Sequence, residues 1–310
     1  MFTVLSITLP FFAIIFLGTI FHISNIFDNN SSKILTKYAL YVTLPPFMFT
    51  NILKASDELV FNFNFIVCFE IVTIFILILS FLISFFVLKN SKKKSSLFSL
   101  NASYPNYGYM GIPLCILAFG EKASIPISLI LLIDTIVLFS FTSFFIEFDK
   151  KKSLIFEIFK LFLNMLQNPI LLASILGFLF VILNINIPII FLTFLETLAL
   201  AATPTALFAI GINIYNKIEI KTFNNIFIIS IFRLIVHPLL IFIIFKYFSY
   251  DVPNLWINVA ILASCLPVAG NVFAMSIYYS TFTKSTSGSI LTTTILSTFS
   301  VPFILFLLLQ

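Results

Sequence analysis

The 310-residue chain is 60% apolar and only 9% charged, which excludes an ordinary soluble domain. Its formal charge of +5 is carried by short lysine clusters between apolar runs, a pattern of membrane-surface anchors that gives no reason to expect nucleic acid as a partner. Cys68, Cys115 and Cys265 stand singly inside apolar stretches, without CxxC or Cys/His spacing, so neither a disulfide framework nor a metal site is expected, and no cofactor is implied.

Crossing about 30 Å of hydrocarbon takes about 20 helical residues. Apolar runs of that length follow one another along the whole chain and leave no soluble domain over. They are continuous and not alternating, so helices are expected and barrel strands are not. The predicted fold class is an all-α polytopic membrane protein of ten transmembrane helices. They lie at about 3–23, 34–53, 63–88, 96–120, 123–148, 167–186, 188–214, 222–248, 254–280 and 286–309. The first run has no basic leader or cleavage site and is expected to be retained. Residues 1–150 form a first half and 167–310 a second. Residues 151–166, which follow Lys150 and carry Glu157 and Lys160 among apolar residues, read as a lysine-rich cytoplasmic connector.

Lys33, Lys37, Lys89, Lys92, Lys93, Lys94, Lys150, Lys151, Lys152, Lys160, Lys217, Lys221 and Lys284 all fall in odd-numbered loops, whereas Lys54, Lys122 and Lys246 flank even ones. The positive-inside rule then makes the odd loops cytoplasmic and both termini extracytoplasmic, as an even helix count requires.

The two halves carry matching punctuation. Pro10 and Pro169, Gly18 and Gly177, and Pro45 and Pro204 are each 159 positions apart, while Pro105 with Pro267 and Gly108 with Gly270 share a separation of 162. A three-residue insertion reconciles the two sets, giving a five-plus-five repeat. Five is odd, so the second copy enters the membrane from the opposite face and the repeat is inverted, a plan common among secondary transporters.

The fourth span holds Pro105, Asn106, Tyr107, Gly108, Gly111 and Pro113 in mid-membrane, and its mate in the ninth holds Pro267, Gly270 and Asn271. A proline removes a backbone donor and clashes with the preceding turn, so both helices are expected to break and to cross. Crossed breaks would aim half-helix N-termini, with unpaired N–H groups and partial positive charge, at one point, which suits a carboxylate. The plainer alternative is that the prolines only kink the helices and that Asn106 and Asn271 only cap them.

The string PNYGYMGIP from Pro105 to Pro113 resembles the fourth-helix signature of the auxin efflux carrier family. LPVAGNVFAMSIYY in the ninth helix, YVTLPPFMF from Tyr41 to Phe49, NPILLASILG from Asn168 and ATPTALFAIG from Ala202 to Gly211 support it in order and spacing over nearly the whole chain. The resemblance implies a fold similar to bile acid sodium symporters, with helices 1, 2, 6 and 7 as scaffold. Helices 3–5 and 8–10 would form a transport domain moving in elevator fashion. It also implies that a substrate carboxylate sits at the proline crossover against Pro105, Asn106 and Pro267. Asn271 falls where relatives vary. The long cytoplasmic loop of plant members is absent, so a plant-hormone role is not implied; bacterial relatives are linked to malate or malonate.

Charged residues inside hydrocarbon are costly and suggest function. Glu70, Asp134, Glu196, Arg233 and His237 qualify. Arg233 and His237, four apart, share a helix face. Arg233 could counter a substrate carboxylate or pair with Asp134 or Glu70; His237 could couple protons or cap backbone freed by Pro238. Glu196 suits a surface or structural role and His22 an interfacial one.

No nucleophile triad, nucleotide-binding or metalloenzyme motif occurs, so an enzyme is not expected. The expected function is secondary active transport of a small organic anion, such as malate, malonate or an auxin-like acid. The partners would be that anion, a coupling H+ or Na+, the lipid bilayer and a second copy of the chain through the scaffold helices. A passive anion channel or a sodium-coupled symporter, to which Thr292, Thr293 and Thr294 could offer hydroxyls, are the alternatives. The expected location is a bacterial plasma (inner) membrane.

Overall fold

The computed structural model describes residues 2–54, 62–147, 169–213 and 222–309. The connector at 151–166, with Lys150, Lys217 and Lys221, lies outside them. Among the described residues every extended element is helical, apart from one two-residue bridge. The helices are α1 (Phe2–Ile23), α2 (Asn29–Tyr38), α3 (Leu44–Lys54), α4 (Phe63–Leu82), α5 (Lys92–Ser103), α6 (Ile112–Phe119), α7 (Ser124–Glu147), α8 (Pro169–Ile182), α9 (Ile189–Leu200), α10 (Ala202–Asn213), α11 (Phe223–Ile231), α12 (His237–Phe248), α13 (Asn254–Ser264), α14 (Gly270–Tyr278) and α15 (Thr283–Leu308). Six helical segments of 18 to 26 residues are long and apolar enough to cross a membrane, and the chain is a multi-pass membrane protein.

Prolines follow three of the four π turns among the described residues, the turn at Ile83–Val87 being the exception. A proline at position i cannot donate to the carbonyl at i−4 and its ring clashes with it, and a widened turn relieves both. Such π turns lie at Ala39–Thr43 just before Pro45, at Tyr107–Gly111 before Pro113 and at Phe232–Val236 before Pro238. The π turn at Phe232–Val236 keeps α11 and α12 continuous, so the eighth predicted span is one bent helix. The seventh is different. The span expected over 188–214 is a single apolar segment over Ile189–Ile212, interrupted by a one-residue turn at Ala201 between α9 and α10, where Pro204 cannot donate to the Leu200 carbonyl. The second predicted span also begins earlier, at Asn29. Asp28 caps it by accepting from the Ser31 backbone at 2.7 Å, and the Ser31 bonds hold the Asp28 carboxyl below the usual aspartate range.

Helices from the two halves interlock through small residues, which let membrane helices approach closely. A methyl on Gly18 of α1 would meet the Phe208 carbonyl and the Cα of Gly211 in α10, and one on Gly211 would overlap the Ile15 carbonyl. Thr19 ties the same pair by donating to the Gly211 carbonyl at 2.9 Å. In the same manner a methyl on Gly177 of α8 would come within 3.2 Å of Ile52 in α3. Helix α4 is fastened to the α11–α12 segment at both ends. Asn62 and Asn64 donate to the carbonyls of Asp251 and Tyr250 at 2.7 and 2.6 Å, and Asn90 donates to Asn225 at 3.0 Å. The outer surface is apolar, with Ile189, Ile190, Phe191 and Leu200 among the most exposed side chains, as a lipid-facing belt requires.

Candidate anion site at the helix crossover

Helix α5 stops at Ser103 and α13 at Ser264, and the two extended segments that follow meet as an antiparallel bridge between Pro105 and Val268. The Asn106 N–H donates to the Pro267 carbonyl at 2.8 Å, and the Ala269 N–H to the Tyr104 carbonyl at 3.4 Å. A third donor is taken up by the last helix: the Val268 N–H bonds to Thr293 Oγ1 at 3.1 Å, and that hydroxyl donates to the Ser289 carbonyl at 2.6 Å. Backbone groups freed by the two prolines are thereby satisfied inside the protein, which is the condition for irregular backbone at membrane depth.

The chain turns sharply at Asn106. Its φ of −81° and ψ of 65° make an inverse γ-turn, closed by the Tyr107 N–H on the Pro105 carbonyl at 2.9 Å. The Asn106 side-chain oxygen then accepts from the Tyr109 N–H at 3.3 Å and caps the segment that leads into α6. The start of α14 is treated differently. No side chain caps it; Gly270, its first residue, is exposed, and a methyl there would meet nothing within 4 Å. The partial positive charge of this helix end is therefore open to whatever lies in front of it.

The opposite ends of the same broken helices are neutralised by Arg233. It is fully buried and donates from Nη2 to the Ser264 carbonyl at 2.5 Å, from Nε to Leu266 at 3.1 Å and from Nη1 to Ala102 at 3.4 Å. These carbonyls belong to the last turns of α5 and α13 or just beyond, where a helix leaves acceptors unpaired and carries partial negative charge. Among the described residues Arg233 forms no ion pair within 4 Å, although Asp134 attracts it electrostatically. The sequence left open a substrate countercharge or a pairing with Asp134 or Glu70; the hydrogen bonds of the guanidinium go to backbone, and it joins two broken helices from a third element.

The remaining predicted residues divide into two groups. Pro105, Asn106, Gly108, Pro267, Gly270 and Asn271 gather at the crossing, with Gly108 against Ile170 Cδ1 and Asn271 beside Tyr104. Tyr107 belongs to the crossing by backbone, yet its fully buried ring turns away. Its hydroxyl donates to Asp134 Oδ2, and Asp134 interacts electrostatically with Glu70 of α4. Tyr104 meets Thr135 at 2.8 Å and packs edge-on to Tyr107. His237 is buried on the far side of this group, its Nε2 3.4 Å from Thr73 Oγ1. Glu196 lies elsewhere: it pairs with Lys54 at 3.1 Å beside a cleft of about 490 Å³ lined by Asn51, Thr193, Thr197 and Thr203. Lys54 also reaches Glu121 at 3.6 Å, and such exposed pairs add little to stability. Thr135 and Tyr104 were not singled out from sequence as site residues, and Thr293 entered only with Thr292 and Thr294 as a hydroxyl for sodium. Nothing in their types distinguishes them from the many other hydroxyls of the chain.

Comparison with known proteins agrees with this architecture. A protein of Rhizobium meliloti described as a "Putative malonate transporter" is 27% identical over 309 residues, covering 98% of this chain and 95% of that one. An uncharacterized transporter of Methanocaldococcus jannaschii is 24% identical over 302 residues, covering 94% and 95% respectively. A family model described as membrane transport protein matches residues 3–305. With nearly its whole length matched, the chain belongs to the membrane transport protein family, the auxin efflux carriers that its crossover motif resembles.

Proposed function

We propose that the protein is a secondary active carrier of small organic anions, with malonate and malate as the first candidates, and that the anion binds at the crossing of the two broken helices. The observation that carries this reading is the sorting of charge at the crossing. Arg233 occupies the negative C-terminal ends of α5 and α13, while the N-terminal end of α14 at Gly270 stays uncapped and open. A carboxylate approaching from that side meets N–H groups, a helix dipole and the Asn106 amide, and is screened from the carbonyls behind. The relative described as a malonate transporter supports the choice of substrate class.

In this reading the described helices make ten spans. They are α1, α2–α3, α4, α5–α6, α7, α8, α9–α10, α11–α12, α13–α14 and α15, five in each half, the second inverted relative to the first. Two sets of equivalent contacts support the repeat. Gly18 against Gly211 and Gly177 against Ile52 exchange under a shift of 159 positions, and Arg233 bonds the carbonyls of Ala102 and Ser264, which are 162 apart. Spans 1, 2, 6 and 7 serve as the scaffold, and the crossing moves with the others between the two membrane faces. The lysine distribution favours extracytoplasmic termini in a bacterial inner membrane.

The test is transport by purified protein in liposomes. A carrier gives saturable uptake of labelled malonate that accelerates when unlabelled malonate is loaded on the opposite side, because the loaded site returns faster than the empty one. Flux that never saturates would instead identify a passive pore. Absence of flux for every mono- and dicarboxylate tried would remove the substrate class.

A further inference from the structure

We propose that Glu70 and Asp134 together form a proton-binding site, one proton shared between two carboxyl groups, whose loading and unloading couples anion transport to proton movement. The proposal rests on the anion-carrier reading above and names its driving ion.

Asp134 is fully buried, and Glu70, which interacts with it electrostatically, carries a buried oxygen without a hydrogen-bond partner; two such carboxyl groups cannot both stay charged, so one of them holds a proton. Charge balance requires the same. Among the described residues the cation acting on the buried Asp134 is Arg233, whose charge balances one carboxylate and not two. A second carboxylate would leave an uncompensated charge among apolar residues, which membrane interiors strongly disfavour. The partners from every neighbouring element are accounted for. Tyr107 donates to Asp134 from the crossover, and Tyr104 from the same segment bonds Thr135 of α7. The α11–α12 segment contributes Arg233 and His237, the latter engaged with Thr73 of α4, and α13 contributes Cys265 beside Arg233. Glu70 Oε2 and Asp134 Oδ1 are buried and lack hydrogen-bond partners. The pair therefore has one oxygen on each residue uncommitted, and a proton can transfer onto either group.

The site is also wired to the anion. Tyr107, which donates to Asp134, is the residue after Asn106, and Tyr104 contacts both Thr135 and Asn271. With the proton bound, Glu70, Asp134 and Arg233 sum to zero and an anion can enter beside them. With the proton lost they sum to −1 and repel it. Proton and anion thus favour each other's binding, and by linkage each must strengthen the other's affinity by the same factor. The resulting cycle is symport of one proton per anion, with the proton leaving on the side where the anion leaves.

The experiment measures malonate uptake into liposomes under an inward acid gradient, against pH. Wild type should accumulate malonate, and its half-saturating concentration should rise by up to about tenfold per pH unit as the pair loses its proton. Glu70→Gln, which cannot exchange a proton, should flatten that profile and abolish gradient-driven accumulation, and Glu70→Asp should restore both. Accumulation by Glu70→Gln equal to wild type, or wild-type accumulation that follows a sodium gradient and ignores pH, would overturn the proposal. A second measurement needs no substrate: infrared spectra of the purified protein should contain a protonated-carboxyl C=O band that disappears on alkalinisation and is missing in Glu70→Gln. If no malonate flux occurs at all, the carrier reading for this substrate fails and the band alone decides the proton site. Its presence in wild type sustains the site and its absence overturns it.

Discussion

Arg233→Met unfolds at a markedly lower temperature than the wild type in detergent and transports nothing, whatever anion is supplied. The reason is that the guanidinium holds together the C-terminal ends of two helices that would otherwise end in unpaired carbonyls. Charge-assisted hydrogen bonds contribute about 1.5–3 kcal/mol each. Removing one member of a buried charged group costs about 3–5 kcal/mol, because what remains is left uncompensated. Here that remainder is three carbonyls on one side and the Glu70–Asp134 pair on the other. Arg233→Lys should repair little, since one ammonium on a flexible stem cannot reproduce a planar fork that reaches Ala102, Ser264 and Leu266 together. A different outcome would point to the substrate-countering role that the sequence left open. If Arg233 served only to counter the substrate charge, the methionine variant would keep its unfolding temperature and lose only anion affinity. Thermal unfolding followed by fluorescence, alongside uptake, distinguishes the two.

Asn106→Asp loses malonate transport by at least about a hundredfold in kcat/KM while keeping the wild-type unfolding temperature. The asparagine has two tasks in one side chain. Its oxygen caps the segment entering α6 through the Tyr109 N–H, and its amide is a side-chain donor at the crossing. Aspartate preserves the acceptor, and so the cap, but removes the donor and adds a negative charge where an anion must bind. A lost hydrogen bond to a charged group alone accounts for about 1.5–3 kcal/mol, or roughly 10- to 150-fold, before repulsion is counted. Asn106→Ala loses the donor and the cap together. It should bind malonate weakly and also give up about 1 kcal/mol of stability. Comparing the two variants by uptake and thermal unfolding assigns each task to its atom.

The parts of this protein that were legible in sequence are those written in local chemistry. Prolines at 105, 113 and 267 beside glycines mark backbone that cannot stay helical, and both breaks occur where those residues stand. Even the one-residue turn at Ala201 carries a local sign in Pro204, and the π turns before Pro45 and Pro238 follow the same logic. What could not be read is the partner of each charged residue. Arg233 was weighed against acidic side chains, but its acceptors are main-chain oxygens, which every residue possesses and no sequence marks. Tyr107 lies inside the recognised motif and so reads as a residue facing the substrate, whereas its ring passes behind the crossing to reach Asp134, 27 residues further on. That contact depends on how α7 packs against the broken helix, a long-range property that no local pattern encodes. The pairing of Glu70 with Asp134 across α4 and α7 has the same origin.

The most direct test of the anion site uses Gly270→Cys as a reporter. The position is exposed with open space in front of it, and the native Cys68, Cys115 and Cys265 are all buried, so a maleimide should react at the new thiol far faster than elsewhere. Its labelling rate is measured in the presence of increasing malonate or of uncharged malonamide. An anion at the crossing predicts that malonate slows labelling with the same half-saturating concentration as uptake, and that malonamide does not. Labelling unaffected by malonate, in a variant that still transports it saturably, would contradict the assignment of the site.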